Sequence, residues 1–197
     1  MPSMRIFLAG ASGVIGVQLV PLLRQAGHEV AGMTRSESKA ERVRELGAEP
    51  VICDVYDAQA LTEAVKAFEP SLVMHQLTDL PDTAERIPDF AERNARIRTE
   101  GTRNLIAAAQ AADAERLVAQ SIAWRPPGSS EAVEQHERMV LDAGGVVLEY
   151  GVFYGPGTYG GETVPEHPRI RVEEAARRTV ELLDAPSSVI VIAEEAD

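Results

Sequence analysis

Near the start of the chain, Gly10-Ala11-Ser12-Gly13-Val14-Ile15-Gly16 spaces its glycines as GxxGxxG. A short apolar run, Ile6 to Ala9, precedes this segment, and a stretch with helical apolar spacing follows it. It therefore reads as a strand-to-helix turn. In such a turn Gly10 permits the tight bend, Gly13 lets backbone approach a pyrophosphate, and Gly16 lets helix and strand pack closely. The N–H groups of Ser12, Val14, Ile15 and Gly16 would sit at the positive end of the helix, where phosphate binds. The next apolar run ends Met33-Thr34-Arg35-Ser36, with no acid to take a ribose diol. Arg35 can pair with a 2′-phosphate, and Thr34 and Ser36 can add hydroxyl donors. The cofactor expected from these residues is NADP rather than NAD. The histidines at positions 28, 75, 136 and 167 show neither HxxxH nor HxH spacing, so no metal site is expected.

These residues need a scaffold, and the sequence describes one. Ile6 to Ala9, Glu29 to Met33, Pro50 to Cys53, Leu72 to Gln76, Arg116 to Gln120, Gly145 to Tyr150 and Ser188 to Ile192 read as strands. Between them, Val14–Ala26, Ser38–Leu46, a stretch from Asp57 to Phe68, Phe90–Ala111, Glu131–Leu141 and Val172–Leu183 read as helices. Asp57 is a plausible N-cap, and Pro21 either kinks the first helix or removes one of its hydrogen bonds. Asp79 to Asp89 and Arg125 to Ser130 read as loops, and Gly151 to Pro168 as irregular chain. Such alternation means βαβ units and a parallel sheet. The expectation is a doubly wound α/β domain, strand order 3-2-1-4-5-6, with the ligand at the carboxyl ends of the strands.

Composition excludes several functions. The chain has 197 residues, 45% of them apolar, enough for a core without staples. Asp and Glu total 31 against 19 Lys and Arg, a net charge of −12 that argues against nucleic acid or an anionic membrane surface as partner. One cysteine, Cys53, rules out a disulfide framework and a cysteine zinc cluster. No apolar run approaches the roughly 18 residues of a membrane span, and the first residues lack a signal-peptide pattern. A cytoplasmic location is expected.

Three stretches carry a resemblance: Phe7 to Gly16, Thr99-Glu100-Gly101-Thr102-Arg103-Asn104-Leu105 (a GTxNL segment) and Tyr150 to Gly157 (containing YGPG). Together they resemble the extended short-chain dehydrogenase/reductase superfamily in its NAD-dependent epimerase/dehydratase branch, with a Rossmann-type fold. The resemblance implies that Asp54, with Val55, lies at the adenine, although Asp54 could also cap the next turn. It implies that Gln76, Leu77 and Thr78 line the nicotinamide ribose, and that Ser121 matches the catalytic serine. Fourth and fifth helices forming a homodimer interface are implied as well, with Ile97, Leu105, Ile106, Ala108 and Ala109 as partial support.

The same resemblance exposes departures. The family's Tyr and Lys, in a YxxxK pattern, are missing: Ser129 and Val133 stand at those places if Glu137 aligns with the acid that follows. Substitute chemistry could come from His75, Asp79, His136, Glu137, Tyr150, Tyr154 or Tyr159. The plainer reading makes His75 a hydrogen-bonded core residue, His136 and Glu137 solvated, and Tyr150 and Tyr154 packing groups. Glu149 replaces an expected Arg. Residues 1–197 read as one domain, with 151–197 a vestigial substrate-side region. The leading expectation is an atypical NAD(P)-binding enzyme acting on a small organic molecule. The alternatives are a non-redox isomerase, cyclase or lyase in the same pocket, and an inactive NADP-sensing regulator.

Overall fold

The computed structural model describes residues 2–124 and 130–196. Its first half runs β1 (Arg5–Ala9), α1 (Gly16–Gln25), β2 (Glu29–Thr34), α2 (Glu37–Glu45), β3 (Glu49–Ile52), α3 (Ala58–Phe68) and β4 (Leu72–His75). A 3-10 segment (Ala84–Phe90) then leads into α4 (Ala91–Arg96), a π-helical turn (Ile97–Gly101) and α5 (Thr102–Ala111). The remainder is β5 (Arg116–Ile122), α6 (Ser130–Asp142), β6 (Val146–Tyr150), β7 (Val152–Tyr154), β8 (Arg169–Arg171), α7 (Val172–Val180) and β9 (Val189–Ile192).

The main sheet has the order β3-β2-β1-β4-β5-β6-β9, and every neighbouring pair is parallel. The expected order holds, and β9 extends it by one strand. The chain winds outward from β1 to β3, then crosses to β4 on the other side of β1. That reversal opens a crevice at the carboxyl ends of β1 and β4, the standard place for a ligand in such sheets.

Alternation along β1 builds both halves of the core, because successive strand side chains point to opposite faces. Ile6 and Leu8 join Leu19, Val20 and Leu23 of α1 and Ala175 and Ala176 of α7. Phe7 and Ala9 join Leu61 and Val65 of α3 and Leu105 and Ala108 of α5. These four β1 side chains are fully buried, so the strand that carries the glycine turn is anchored on both faces of the sheet. α7 lies against α1, bringing the last helix onto the first.

Local signals account for the ends of elements. Asp57 caps α3 by accepting from the Ala60 N–H at 3.0 Å. α1 continues through Pro21. The long helix expected from Phe90 is interrupted by the π-helical turn, which buries Ile97 and Arg98. The stretch read as irregular from Gly151 to Pro168 needs correction: β7 lies within it and pairs in parallel with β8. The Asp79–Asp89 loop likewise contains most of the 3-10 segment. The Arg125–Ser130 loop falls almost wholly outside the described residues, as does Ser129. Among the described residues no helix is long and apolar enough to cross a membrane.

Candidate functional site

The glycine turn stands where the sheet reverses. Gly10 has φ +97°, and a Cβ there would lie 2.6 Å from the Gln76 carbonyl oxygen. The turn can therefore press against the end of β4 only with glycine at this position. A Cβ on Gly16 would lie 2.2 Å from the Gly10 oxygen, so the start of α1 can close on the turn only without a side chain. Gly10 and Ala11 N–H groups both point to the Met33 carbonyl, and Gly13 N–H donates to Gly10 O at 3.0 Å. The N–H groups of Ser12, Val14, Ile15 and Gly16 find no acceptor among the described residues. Such an array at a helix N-terminus suits a phosphate.

The end of β2 joins the turn through a hydroxyl pair, Ser12 Oγ and Thr34 Oγ1 at 3.1 Å. Thr34 Oγ1 also accepts from the Ser36 N–H at 3.4 Å, so its hydroxyl is engaged locally. Arg35 points outward, and its Nη2 comes within 3.7 Å of Asp79 Oδ1. On β3's side, Asp54 is exposed and accepts from the Tyr56 N–H at 3.0 Å, a turn-capping role. Asn104 donates to the Val55 carbonyl at 3.0 Å, tying α5 to this loop. Its signal was present in the sequence as the Asn of the GTxNL segment. Gln76 is buried beneath the turn and donates to Tyr150 Oη at 3.4 Å. Its Oε1 is buried without a partner among the described residues.

Behind the Gln76–Thr78 loop lies an ordered chain of buried hydrogen bonds. The Leu77 N–H donates to His75 Nδ1 at 3.2 Å, which leaves the proton of a neutral His75 on Nε2. That N–H faces Thr102 Oγ1 at 2.9 Å. His136 Nε2 faces the Gln120 carbonyl at 2.8 Å and must donate to it, so His136 Nδ1 accepts from Thr102 Oγ1 at 2.7 Å. With neutral imidazoles, the Leu77 N–H and the Gln120 carbonyl set this direction, and the Arg98 backbone also hydrogen-bonds His136. Burial and the neighbouring imidazole hold His75 well below the usual histidine range. Burial, with the charge of Arg98, lowers His136 to about 4. Gln120 completes the frame by donating from Nε2 to the Leu77 carbonyl at 3.0 Å.

The expectation that His136 and Glu137 are solvated is overturned: they are 1% and 9% exposed. Both lie on the inner face of α6 with Val133 and Val140. The core-residue reading of His75 agrees with its 1% exposure. Ser121 is itself buried, and its hydroxyl donates to Glu137 Oε1 at 2.5 Å. Tyr150 packs in the core, with its hydroxyl 2.6 Å from Thr179 Oγ1, and burial pushes its pKa up to about 12. Tyr154 donates to Glu194 at 2.6 Å and Tyr159 to the Pro81 carbonyl at 2.5 Å. The apolar residues offered for a dimer face also turn inward: Ile97, Leu105, Ala108 and Ala109 are all core, and only Ile106 is partly exposed.

Comparison with known proteins gives the same picture. The sequence profile of the NAD dependent epimerase/dehydratase family matches residues 6–141. The chain belongs to this family. The 3-diazoavenalumate denitrifying reductase of a Streptomyces species is 41% identical, over 79% of this chain and 58% of its own length. A decarboxylating sterol-4-alpha-carboxylate 3-dehydrogenase of Dictyostelium discoideum is 32% identical, over 45% of this chain and 26% of its own. This chain thus spans less than two thirds of either relative. In fold it is similar to the Thermus thermophilus UDP-glucose 4-epimerase solved with NAD, with a TM-score of 0.81 at 18% identity, covering 98% of this chain and 78% of that one. The glycine turn and the GTxNL segment both fall inside the matched family region. So does most of α6, which carries no Tyr and no Lys.

Proposed function

We propose that this family member binds NADP in preference to NAD and serves in oxidation or reduction of a small organic molecule without a Tyr–Lys pair. The observation that carries this reading is Arg35: an exposed guanidinium at the end of β2, beside the glycine turn, with no acid at positions 33–36 to hold a ribose diol. The names of the relatives, a reductase and a dehydrogenase, support the redox class.

The residues present fit such a cofactor. The free N–H groups of the turn would take the pyrophosphate, and a Cβ at Gly13 would meet only the Gly10 oxygen, at 3.3 Å, leaving its outer side open. The unpartnered Gln76 Oε1 is a spare acceptor at the end of β4. When bound, NADPH supplies a hydride. Leu77, clamped at its N–H by His75 and at its carbonyl by Gln120, holds the floor of the crevice in place. Both imidazoles are engaged in hydrogen bonds with Thr102 and the backbone, which favours a structural role for them. Ser121 enters the proposal as a positioning residue, because its proton goes to Glu137 and fixes α6 against β5. Residues 1–197 are taken as one dinucleotide-binding domain, and a homodimer through α5 and α6 is carried over by resemblance alone.

Isothermal calorimetry with NADPH and NADH tests the reading. Wild type should bind NADPH more tightly by about tenfold or more, the scale of one charge-assisted contact. Arg35→Ala should erase most of the difference. Equal affinities in wild type would overturn the NADP assignment.

A further inference from the structure

Asp79 lies on the loop after β4 and is 5% exposed. Its carboxylate takes Arg93 through both oxygens, Nη2 to Oδ1 at 3.0 Å and Nε to Oδ2 at 3.3 Å. Arg35 Nη2 approaches the same Oδ1 at 3.7 Å. The Arg93 guanidinium also lies 4.5 Å from the centre of the Phe90 ring, with Arg86 at 5.5 Å from that ring. Asn94 fixes the backbone beneath by accepting from the Asp79 N–H at 3.2 Å. Arg35, Asp79, Arg86, Phe90 and Arg93, with Asp82, line a cavity of about 410 Å³ in which cations outnumber carboxylates.

We propose that Arg93 is the second cation of a 2′-phosphate subsite, and that Asp79 positions it there. The inference rests on the dinucleotide reading of the glycine turn and on Arg35 as the first cation. Because both terminal nitrogens reach a single oxygen, Asp79 Oδ1, they are close enough to bracket one phosphate. Arg93 is the better organised of the two. Its two-point pairing and its stacking on Phe90 remove rotamer freedom before any ligand arrives, so little entropy is lost on binding. Arg35 is held more loosely, and its 3.7 Å contact is the one a dianion would displace. Asp79 balances one of the two positive charges, so Arg35 and Arg93 together present a single net positive charge to the ligand. A ligand without the 2′-phosphate gains nothing from this arrangement.

The test is calorimetry of NADPH, NADH, 2′,5′-ADP and 5′-AMP on wild type, Arg35→Ala, Arg93→Ala and Arg93→Lys. The Arg93 side chain is 55% exposed, so its variants should fold, and a thermal melt checks this. Arg93→Ala should weaken NADPH and 2′,5′-ADP by about tenfold and leave NADH and 5′-AMP unchanged, with Arg93→Lys in between, because a point charge replaces a fork. An equal loss for both cofactors in Arg93→Ala marks a structural role and overturns the inference. So does an unchanged NADPH affinity in Arg93→Ala while Arg35→Ala loses it; the proposed cofactor preference then stands by itself. Failure of wild type to bind any dinucleotide, or to prefer NADPH, removes both.

Discussion

Thr102 is a single hydroxyl serving two imidazoles, which makes it a sensitive point of the fold. Thr102→Val keeps the shape of the side chain and removes only the polar atom. In the native chain this oxygen accepts from His75 Nε2 at 2.9 Å and donates to His136 Nδ1 at 2.7 Å, and its residue is fully buried. The variant leaves one buried donor and one buried acceptor without partners. Each such group costs about 1–3 kcal/mol, so the expected loss is about 2–6 kcal/mol. Thr102→Ser keeps the hydroxyl and loses one methyl, with an expected cost of about 1 kcal/mol. The assay is urea unfolding at pH 7.5, read by circular dichroism with a common slope for all three proteins. The Leu77 N–H bonds to His75, so Thr102→Val should also weaken NADPH binding, whereas Thr102→Ser should not. Thr102→Val unfolding within about 0.5 kcal/mol of wild type, the ordinary scale of a surface substitution, would refute the assigned hydrogen-bond chain.

The same network predicts a pH dependence. His136 has a folded pKa of about 4 against an ordinary 6.5. Between those values the unfolded chain binds a proton that the folded chain refuses, so stability rises with pH, is complete above 6.5 and is lost on acidification. The loss from this residue should reach about 2 kcal/mol at pH 5 and about 3 kcal/mol at pH 4. His75 is shifted in the same direction. Unfolding curves that stay flat from pH 7 to pH 5 would contradict this. Gly10→Ala should cost at least about 1–2 kcal/mol for its left-handed backbone alone, with a further cost from the close approach to Gln76, and should abolish dinucleotide binding. A Gly10→Ala protein with wild-type melting and binding would show that the turn is not held against β4.

Much of this was legible in the sequence because the signals were local. The Ile6–Ala9 run and its glycines were enough to place a central strand and a phosphate-binding turn, and β1 lies between β2 and β4 as expected. Arg35 was readable because it directly follows β2. The burial of His136 and Glu137 was misread on residue type, yet a signal existed. Val133, His136, Glu137 and Val140 recur at helical spacing and form one inward stripe, a pattern that outweighs polarity. The pairing of β7 with β8 was not legible, since three-residue strands separated by a Gly- and Pro-rich stretch show no periodicity. The meeting of Asp79 with Arg93 and Arg35 required the folded chain, because a residue on β2's end and one on α4 become neighbours only through the crossover.

The packing of α7 on α1 has a consequence for how the chain is made. Leu19, Val20 and Leu23 leave the ribosome early, but the Ala175 and Ala176 face that covers them is encoded about 150 residues later. At ordinary rates of roughly 5–20 residues per second, that apolar stripe waits about ten seconds or more for its partner. β6, once made, likewise presents an open parallel edge until β9 follows it. The glycine turn is therefore synthesised well before the segments that close the core over α1 and the edge of β6.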